Sequence, residues 1–216
     1  MYCSVDREVL HLLGMVPMPN GTVGVEGAGH VTRAGHDCPI QPGECLFGWI
    51  GDNFCSYSCC PVEAALRAPA GLGFEQTATM YTAWLTIDHA LGPLSSNLLP
   101  SEMLLVHTAT GSVGIATLWM AQAAGAAVVA TAGNDSKRAW LSAQALSMVS
   151  SSRSPDRMRA DLFGWFGSGP IRSLDAVTNA LSNDFVAFSL DHLRAGGRFG
   201  ELGKREIWSV KQVASP

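Results

Sequence analysis

The sequence has few charged residues, no long apolar run and no cluster of basic residues. Charged residues make up 15% of the 216-residue chain and apolar residues 47%, a balance typical of a globular protein with a sizeable core. No apolar run reaches the roughly 18 residues that a membrane-spanning helix needs. The formal net charge is −4, without a run of Lys or Arg. The composition therefore predicts a globular protein that binds neither membranes nor nucleic acid.

The six cysteines form no CxxC pair, and no histidine pair stands near them to complete a zinc site. Cys59 and Cys60 are adjacent and are not expected to bridge each other. The polar, acidic residues at positions 1–8 do not resemble a secretory signal. These features favour free thiols in a reducing compartment, so we expect a cytoplasmic protein without a metal. The alternative is a metal held between Cys55 and Cys59.

The most informative stretch is Leu104–Gly114, with the sequence Leu-Leu-Val-His-Thr-Ala-Thr-Gly-Ser-Val-Gly. It predicts a buried strand, a tight turn and the start of a helix, which is the order of a dinucleotide-binding fingerprint. Gly111 would let the backbone approach a pyrophosphate, Gly114 would let the helix pack on the strand, and the helix N-terminus would face the phosphates. Ala109 replaces the usual first glycine, so a strand–turn–helix without a ligand is the alternative. The predicted cofactor contacts in this turn are Ala109, Thr110, Gly111, Ser112, Val113 and Gly114.

The two halves of the chain have different patterns, which change near residue 95. The first half is rich in Gly, Pro and Cys and predicts an irregular, mostly β unit, with a short helix over 5–13, strands within 21–35, 41–50 and 54–62, and a helix over 75–90. The second half predicts strands over 103–108, 127–131, 148–151, 175–180 and 198–202, alternating with helices over 113–124, 135–145, 156–163 and 184–193. This alternation favours an α/β fold with a parallel sheet.

Six segments together resemble one protein family. In chain order they are Val23–Gly35, Leu105–Gly114, Ala130–Arg138, Ser152–Asp156, Leu174–Ser182 and Gly196–Trp208. They resemble the enoyl reductase domains of polyketide and fatty acid synthases, in the zinc-free branch of the medium-chain dehydrogenase/reductases. The resemblance implies a Rossmann-type parallel sheet that binds NADPH, over residues 96–216. It also implies a partial GroES-like, β-rich substrate domain over residues 1–95, with the substrate in the cleft between the two.

The resemblance also implies the reaction and its partners. NADPH would reduce the C=C bond of an α,β-unsaturated acyl thioester on a carrier protein, beside neighbouring synthase domains; a homodimer stays open. The chain begins near the family's first substrate-domain helix, at Asp6–Leu10, and ends soon after Trp208, so truncation at both ends is expected. Ala78–Trp84 is shorter than its family counterpart, and Asn183 replaces a usual glycine. The alternatives are a stand-alone quinone oxidoreductase and a non-catalytic nucleotide-binding remnant.

The resemblance assigns the chemistry to two residues. Zinc-dependent relatives carry a His-Glu pair where this chain has Val25 and Glu26, and His30 does not occupy the ligand position, so no Lewis acid is expected. Lys137 and Asp156 match proposed proton donors of the family. The Lys could donate directly if burial lowered its pKa, and the Asp could relay a proton or position a water. The alternatives are a phosphate contact for Lys137 and a helix N-terminal acid for Asp156.

The expected cofactor contacts beyond the glycine turn lie after later strands. Lys137, Arg138 and Arg153 offer three cations after the second and third strands, which favours the 2′-phosphate of NADPH over NADH, with solvated surface charge as the alternative. The remaining expected contacts, at the exits of the fourth and fifth strands near the nicotinamide, are Asn179, Leu181 and Gly203. We interpret the aromatic residues Tyr81, His107 and Trp119 as packing residues. For Tyr81 the alternative is a place in the substrate site.

Overall fold

The computed structural model of the chain describes residues 13–14, 24–50, 55–95, 98–167 and 174–203. The chain divides between Leu85 and Thr86 into two compact units. This division falls inside a helix that ends at Ser95, where the sequence pattern changes. The predicted helix over residues 5–13, except its last residue, and the family segment after Gly203 lie outside the described residues.

The first unit contains a three-stranded antiparallel sheet of order β1-β2-β3. Its elements are β1 (Glu26–His30), β2 (Cys45–Trp49), a 3-10 helix (Val62–Ala64), β3 (Ala65–Arg67), α1 (Phe74–Thr77) and the first five residues of α2 (Tyr81–Ser95), which continues into the second unit. The sheet is the partial GroES-like portion of the chain. The strand predicted over 54–62 is wrong: residues 55–61 are irregular, because Pro61 cannot donate to a strand ladder and instead precedes the 3-10 turn.

The helix predicted over residues 75–90 is two helices, separated at residues 78–80. Two threonine hydroxyls compete with the helical pattern at this point, since Thr77 Oγ1 donates to the carbonyl of Gly73 at 3.1 Å and Thr79 Oγ1 to that of Gln76 at 2.8 Å. The second helix starts on a buried carboxylate, because Glu26 Oε2 accepts the Thr82 N–H at 2.7 Å. Glu26 therefore holds the beginning of α2 against β1.

Tyr81 belongs to the small core of the first unit. Its ring meets the Phe47 ring edge-on, with centroids 6.2 Å apart, and it packs against a cluster of Ala28, Phe47 and Ala78. These contacts favour the packing interpretation of Tyr81.

The second unit is a five-stranded parallel sheet of order β6-β5-β4-β7-β8, which confirms the predicted Rossmann-type fold. The strands are β4 (Met103–Val106), β5 (Ala127–Ala132), β6 (Met148–Ser151), β7 (Leu174–Asn179) and β8 (Leu193–Glu201). The helices are α3 (Ser112–Ala124), α4 (Asp135–Ala143), α5 (Pro155–Phe166) and α6 (Asp184–His192). From β4 the chain adds β5 and β6 on one side of the sheet and then β7 and β8 on the other. In such sheets ligands bind beside the strand at which this direction changes, here β4.

Both faces of the parallel sheet are covered, as the apolar strands predict. Leu104 and Val106 of β4 face a core that includes Leu141 of α4, whereas Leu105 faces one that includes Met158 of α5. Alternate residues of one short strand therefore supply two separate cores.

Ion pairs occupy the amino ends of the parallel strands. Arg194 and Arg198 both pair with the buried carboxylate of Glu102, and Arg194 also pairs with Asp175. Asp175 in turn accepts the Met103 N–H at 2.7 Å. Two acids and two arginines neutralise one another at this edge, and the residues predicted to bind the cofactor follow the opposite, carboxyl ends of the strands.

Three features are absent from the parts of the chain that the structure describes. None of the five described cysteines forms a disulfide. No group of three or more His, Cys, Asp or Glu residues there could hold a metal ion. The described helices include none with both the length and the apolar character of a membrane span.

Candidate functional site

Two hydrogen bonds join the turn after β4 to Thr131 of β5, one to its backbone and one to its side chain. The Ala109 N–H donates to the Thr131 carbonyl at 2.9 Å, and the Thr108 N–H donates to the Thr131 hydroxyl at 3.2 Å. The Gly111 N–H then turns back to the Thr108 carbonyl at 2.9 Å. Thr108 has a φ of +50°, in the left-handed region that β-branched residues rarely adopt. The turn is therefore held in a strained conformation by its neighbours.

The two glycines of the turn have different surroundings. A Cβ on Gly114 would lie 2.6 Å from the Thr108 carbonyl oxygen and 2.7 Å from Ala109 Cα, so only glycine lets α3 approach the turn after β4 this closely. This is the packing that the sequence predicts for Gly114. A Cβ on Gly111 would meet only the Thr108 oxygen, at 3.4 Å, and Gly111 is exposed. Its backbone is therefore accessible to a ligand.

Helix α3 begins at Ser112 without a side-chain cap, since its N-cap residue is Gly111. The first amides of a 13-residue helix therefore face an exposed turn, together with the positive end of the helix dipole. Thr110 and Val113 are partly exposed beside them, whereas Ala109 is completely buried and packs in the core. The cradle left by the two glycines and the helix start fits a pyrophosphate.

The three cations predicted to read the cofactor's 2′-position differ in availability. Arg138 donates to the Ala132 carbonyl at 3.1 Å and pairs with Asp135, and its side chain is only 17% exposed. Its guanidinium therefore already has partners within the chain. The sequence pattern does not reveal this ion pair. Lys137 is exposed in the first turn of α4. Arg153 is exposed too, and its Nε would lie 3.3 Å from a Cβ on Gly133, so its side chain lies across the exit of β5.

The two residues predicted as proton donors both lie in first turns of helices. Asp156 is in the first turn of α5; its side chain is 94% exposed and accepts a hydrogen bond from Arg159 at 3.1 Å. This is the arrangement expected of a helix N-terminal acid. Lys137 is exposed, so the described residues do not supply the burial that direct proton donation by its ammonium requires. The catalytic roles of both residues stay predictions.

The exits of β7 and β8 are joined by a carboxylate that the sequence analysis missed. The buried Asn179 donates from Nδ2 to the Leu181 carbonyl and to Glu201 Oε2, both at 2.7 Å, and its Oδ1 accepts the Leu181 N–H at 3.2 Å. Glu201 Oε1 accepts the Gly203 N–H at 2.5 Å. The structure thus brings Asn179, Leu181 and Gly203 together around Glu201. The available signal was a charged residue, Glu201, next to the last position of the fifth strand predicted over 198–202.

His107 and Trp119, both interpreted as packing, have opposite outcomes. His107 is 2% exposed, and burial lowers its pKa to about 3, so the ring is neutral in the physiological range. Its interpretation as a buried residue is confirmed. Trp119 is 57% exposed on α3, so its interpretation as packing is wrong. Nearly every residue of α3 is apolar or small, so the sequence does not show which side faces outward.

Two of three comparisons with known proteins found relatives of this chain. No family model matches the chain. The pikromycin polyketide synthase component PikAII of Streptomyces venezuelae is 35% identical over 97% of this chain, which spans only 6% of that protein's length. The solved structure of CurK enoyl reductase is 30% identical, with a TM-score of 0.82 over 96% of this chain and 64% of that one.

Two further solved structures share the architecture. The CurF ER cyclopropanase of the curacin A biosynthetic pathway is 28% identical, with a TM-score of 0.86 over 99% of this chain and 67% of that one. The Escherichia coli quinone oxidoreductase, solved in complex with NADPH, is 23% identical, with a TM-score of 0.79 over 97% of this chain and 66% of that one. At this identity, the likeness to the quinone oxidoreductase shows the fold alone.

Proposed function

Because the chain belongs to the polyketide synthase enoyl reductases, of the medium-chain dehydrogenase/reductase fold, we propose that it uses NADPH to reduce the C=C bond of an α,β-unsaturated acyl thioester. The observation that carries this proposal is the cradle at the switch point of the sheet, where Gly111 is open and Gly114 admits the helix start. This cradle suits a dinucleotide, and the family supplies the reaction class.

The partners follow from the kind of protein in which the relatives occur. The matched relative is a polyketide synthase component of which this chain spans a small part, so neighbouring synthase domains are proposed partners. We propose that the thioester is carried by a carrier protein, in the cytoplasm, and that the chain can pair as a homodimer. Residues 1–95 would hold the substrate and residues 96–216 the cofactor.

The choice of NADPH over NADH rests on charge at the exit of β5. The chain has no acid directly after β5, because Ala132 is followed by Gly133 and Asn134. Asp135 lies in the first turn of α4 and is already paired with Arg138. Arg153 and Lys137 are exposed beside this exit and would pair with a 2′-phosphate. To bind the ribose 2′-hydroxyl of NADH, Asp135 would have to break its ion pair with Arg138. This cost disfavours NADH.

When bound, NADPH supplies the hydride that attacks the β-carbon of the substrate. The thioester carbonyl then takes up negative charge, and the α-carbon needs a proton. Asn179 and the backbone of Leu181 and Gly203 would line the nicotinamide end, held in place by Glu201. Since Asp156 and Lys137 are exposed, we favour delivery of the proton through a water held by Asp156 over direct donation by Lys137.

Fluorescence titration with NADPH and with NADH tests the proposal, followed by loss of NADPH absorbance with a crotonyl thioester. We expect tight NADPH binding, weak NADH binding and turnover of the thioester. Arg153→Ala should weaken NADPH binding about tenfold and leave NADH binding unchanged, because a charge-assisted contact to phosphate is lost. Arg33→Ala, which removes an exposed arginine of the first unit, serves as the control. Binding of neither cofactor would favour the non-catalytic remnant.

The quinone oxidoreductase alternative rests on the shared fold with the Escherichia coli protein. It predicts that a small quinone, and not the crotonyl thioester, is reduced in the same assay. Faster turnover of the thioester than of the quinone would decide for the enoyl reductase.

A further inference from the structure

A chain of buried polar side chains lies beneath the glycine turn and is not used by the proposed reaction. His107 Nδ1 is 3.2 Å from the Thr131 hydroxyl, and His107 Nε2 is 2.9 Å from the Ser189 hydroxyl. All three residues are buried, and they come from the end of β4, from β5 and from α6. The Phe185 ring meets the imidazole edge-on, with centroids 5.7 Å apart. These residues therefore shield the hydrogen bonds of the network from solvent.

The contacts at the two ends of this network determine which atom donates and which accepts in each of its hydrogen bonds. At one end the Thr108 N–H donates to the Thr131 hydroxyl oxygen at 3.2 Å, so this hydroxyl is free to donate its own proton to His107 Nδ1. At the other end the Ser189 hydroxyl donates to the Phe185 carbonyl at 2.6 Å, so its oxygen accepts from His107 Nε2–H. One neutral tautomer of His107, protonated on Nε2, satisfies all the hydrogen bonds in a single order.

The Thr108 end of this network explains a strained residue. Thr108 has a φ of +50°, which costs free energy for a β-branched residue unless its surroundings hold it. Its N–H points to Thr131, and its carbonyl accepts the Gly111 N–H at 2.9 Å. Thr108 therefore sets the position of the turn in which Gly111 is open to a ligand.

We propose that His107, Thr131 and Ser189 are positioning residues that hold the turn at Thr108–Gly111 in the shape that receives the cofactor's pyrophosphate. This inference rests on the proposed function for its ligand, and on the structure alone for the shape of the turn. The residues do not touch the reacting atoms. They act by fixing one hydroxyl of β5 in the orientation that accepts the Thr108 N–H.

Three variants test the proposal against two readouts: the NADPH dissociation constant, and the hydrogen exchange rates of the Thr108 and Gly111 amides measured by NMR. Thr131→Val keeps the side-chain shape but removes the hydroxyl, so both amides should exchange faster and NADPH should bind about tenfold more weakly, because a buried donor loses its partner. Thr131→Ser should restore both. Ser189→Ala, at the far end, should speed the same amides and weaken binding about threefold.

The control is Thr178→Val, which removes a buried hydroxyl from the adjacent strand β7. That hydroxyl donates to the Leu105 carbonyl at 3.4 Å. The bond from the His107 N–H to the Thr178 carbonyl, at 3.0 Å, is a backbone contact that the variant keeps, so both readouts should be unchanged. Unchanged amide exchange in Thr131→Val would overturn the proposal, and unchanged exchange in Ser189→Ala alone would remove His107 and Ser189 from it. If the unmodified chain does not bind NADPH, the proposed function fails, while the amide exchange still decides whether the network holds the turn.

Discussion

The contact between α3 and the turn that follows β4 can be tested by adding one methyl group, in Gly114→Ala. The new Cβ would lie 2.6 Å from the Thr108 oxygen and 2.7 Å from Ala109 Cα, so it is about 0.7 Å short of an ordinary contact. Both neighbours are backbone atoms, which cannot rotate away, so α3 must shift outward. Overpacking of this kind costs about 1–3 kcal/mol, and against backbone atoms at these distances we expect the upper part of that range, about 2–3 kcal/mol, of which the better helix propensity of alanine offsets about 1 kcal/mol. We expect a net loss of about 1–2 kcal/mol.

For a chain of this size that loss lowers the melting temperature by about 2–8 °C, which circular dichroism would detect. Gly111→Ala is the matched variant, because its Cβ meets only one atom, at 3.4 Å. It should cost less than about 1 kcal/mol of stability yet weaken NADPH binding about tenfold, because the methyl group would occupy the place of the pyrophosphate. Unchanged melting of Gly114→Ala would refute the close approach of the helix to the turn. Unchanged NADPH binding by Gly111→Ala would refute the proposed position of the pyrophosphate.

Three other perturbations have expected outcomes. Burial lowers the pKa of His107 from 6.5 in the unfolded chain to about 3 in the folded one, so the free energy of unfolding should fall as the pH falls through that window. Between pH 7 and 5 the loss should be about 2 kcal/mol larger than in His107→Gln, measured by urea unfolding, and equal losses would contradict the burial of a neutral imidazole. Glu201→Gln cannot accept both of its hydrogen bonds, so kcat/KM should fall about tenfold with little change in melting, whereas the exposed Glu63→Gln should change neither. Gly164→Ala, exposed in α5 with open space around it, should stabilise the chain by about 0.5–1 kcal/mol in thermal unfolding; a lower melting temperature would contradict the helix there.

Local sequence patterns predicted most of the second unit. Each predicted strand and helix there is present, and β6 has the predicted bounds, because buried parallel strands are short apolar runs and their helices begin at polar caps such as Asn134 and Ser154. The first unit was harder to predict. Its strands are short and its chain is broken by proline and glycine, so β3 was missed and α1 and α2 were merged.

The candidate site was predicted only where one short segment carries the chemistry. Gly111 and Gly114 could be assigned from their spacing, since both act through their own backbone within one turn. The pairing of Arg138 with Asp135 could not be read from the spacing alone, because charges three residues apart on a helix can pair with each other or with a ligand. The sequence also did not predict that Trp119 is exposed, because the faces of α3 differ little in polarity.

Residues close together along the chain determined two features of this protein: the order of its strands and helices, and the glycine turn that admits a dinucleotide. The polar groups that hold the site in shape were decided by tertiary structure. His107 and Ser189 are 82 residues apart, and Asn179 and Glu201 are 22 apart. Local propensities act over a few residues, whereas these hydrogen bonds form only because a parallel sheet brings together the ends of separate strands and the helix that carries Ser189.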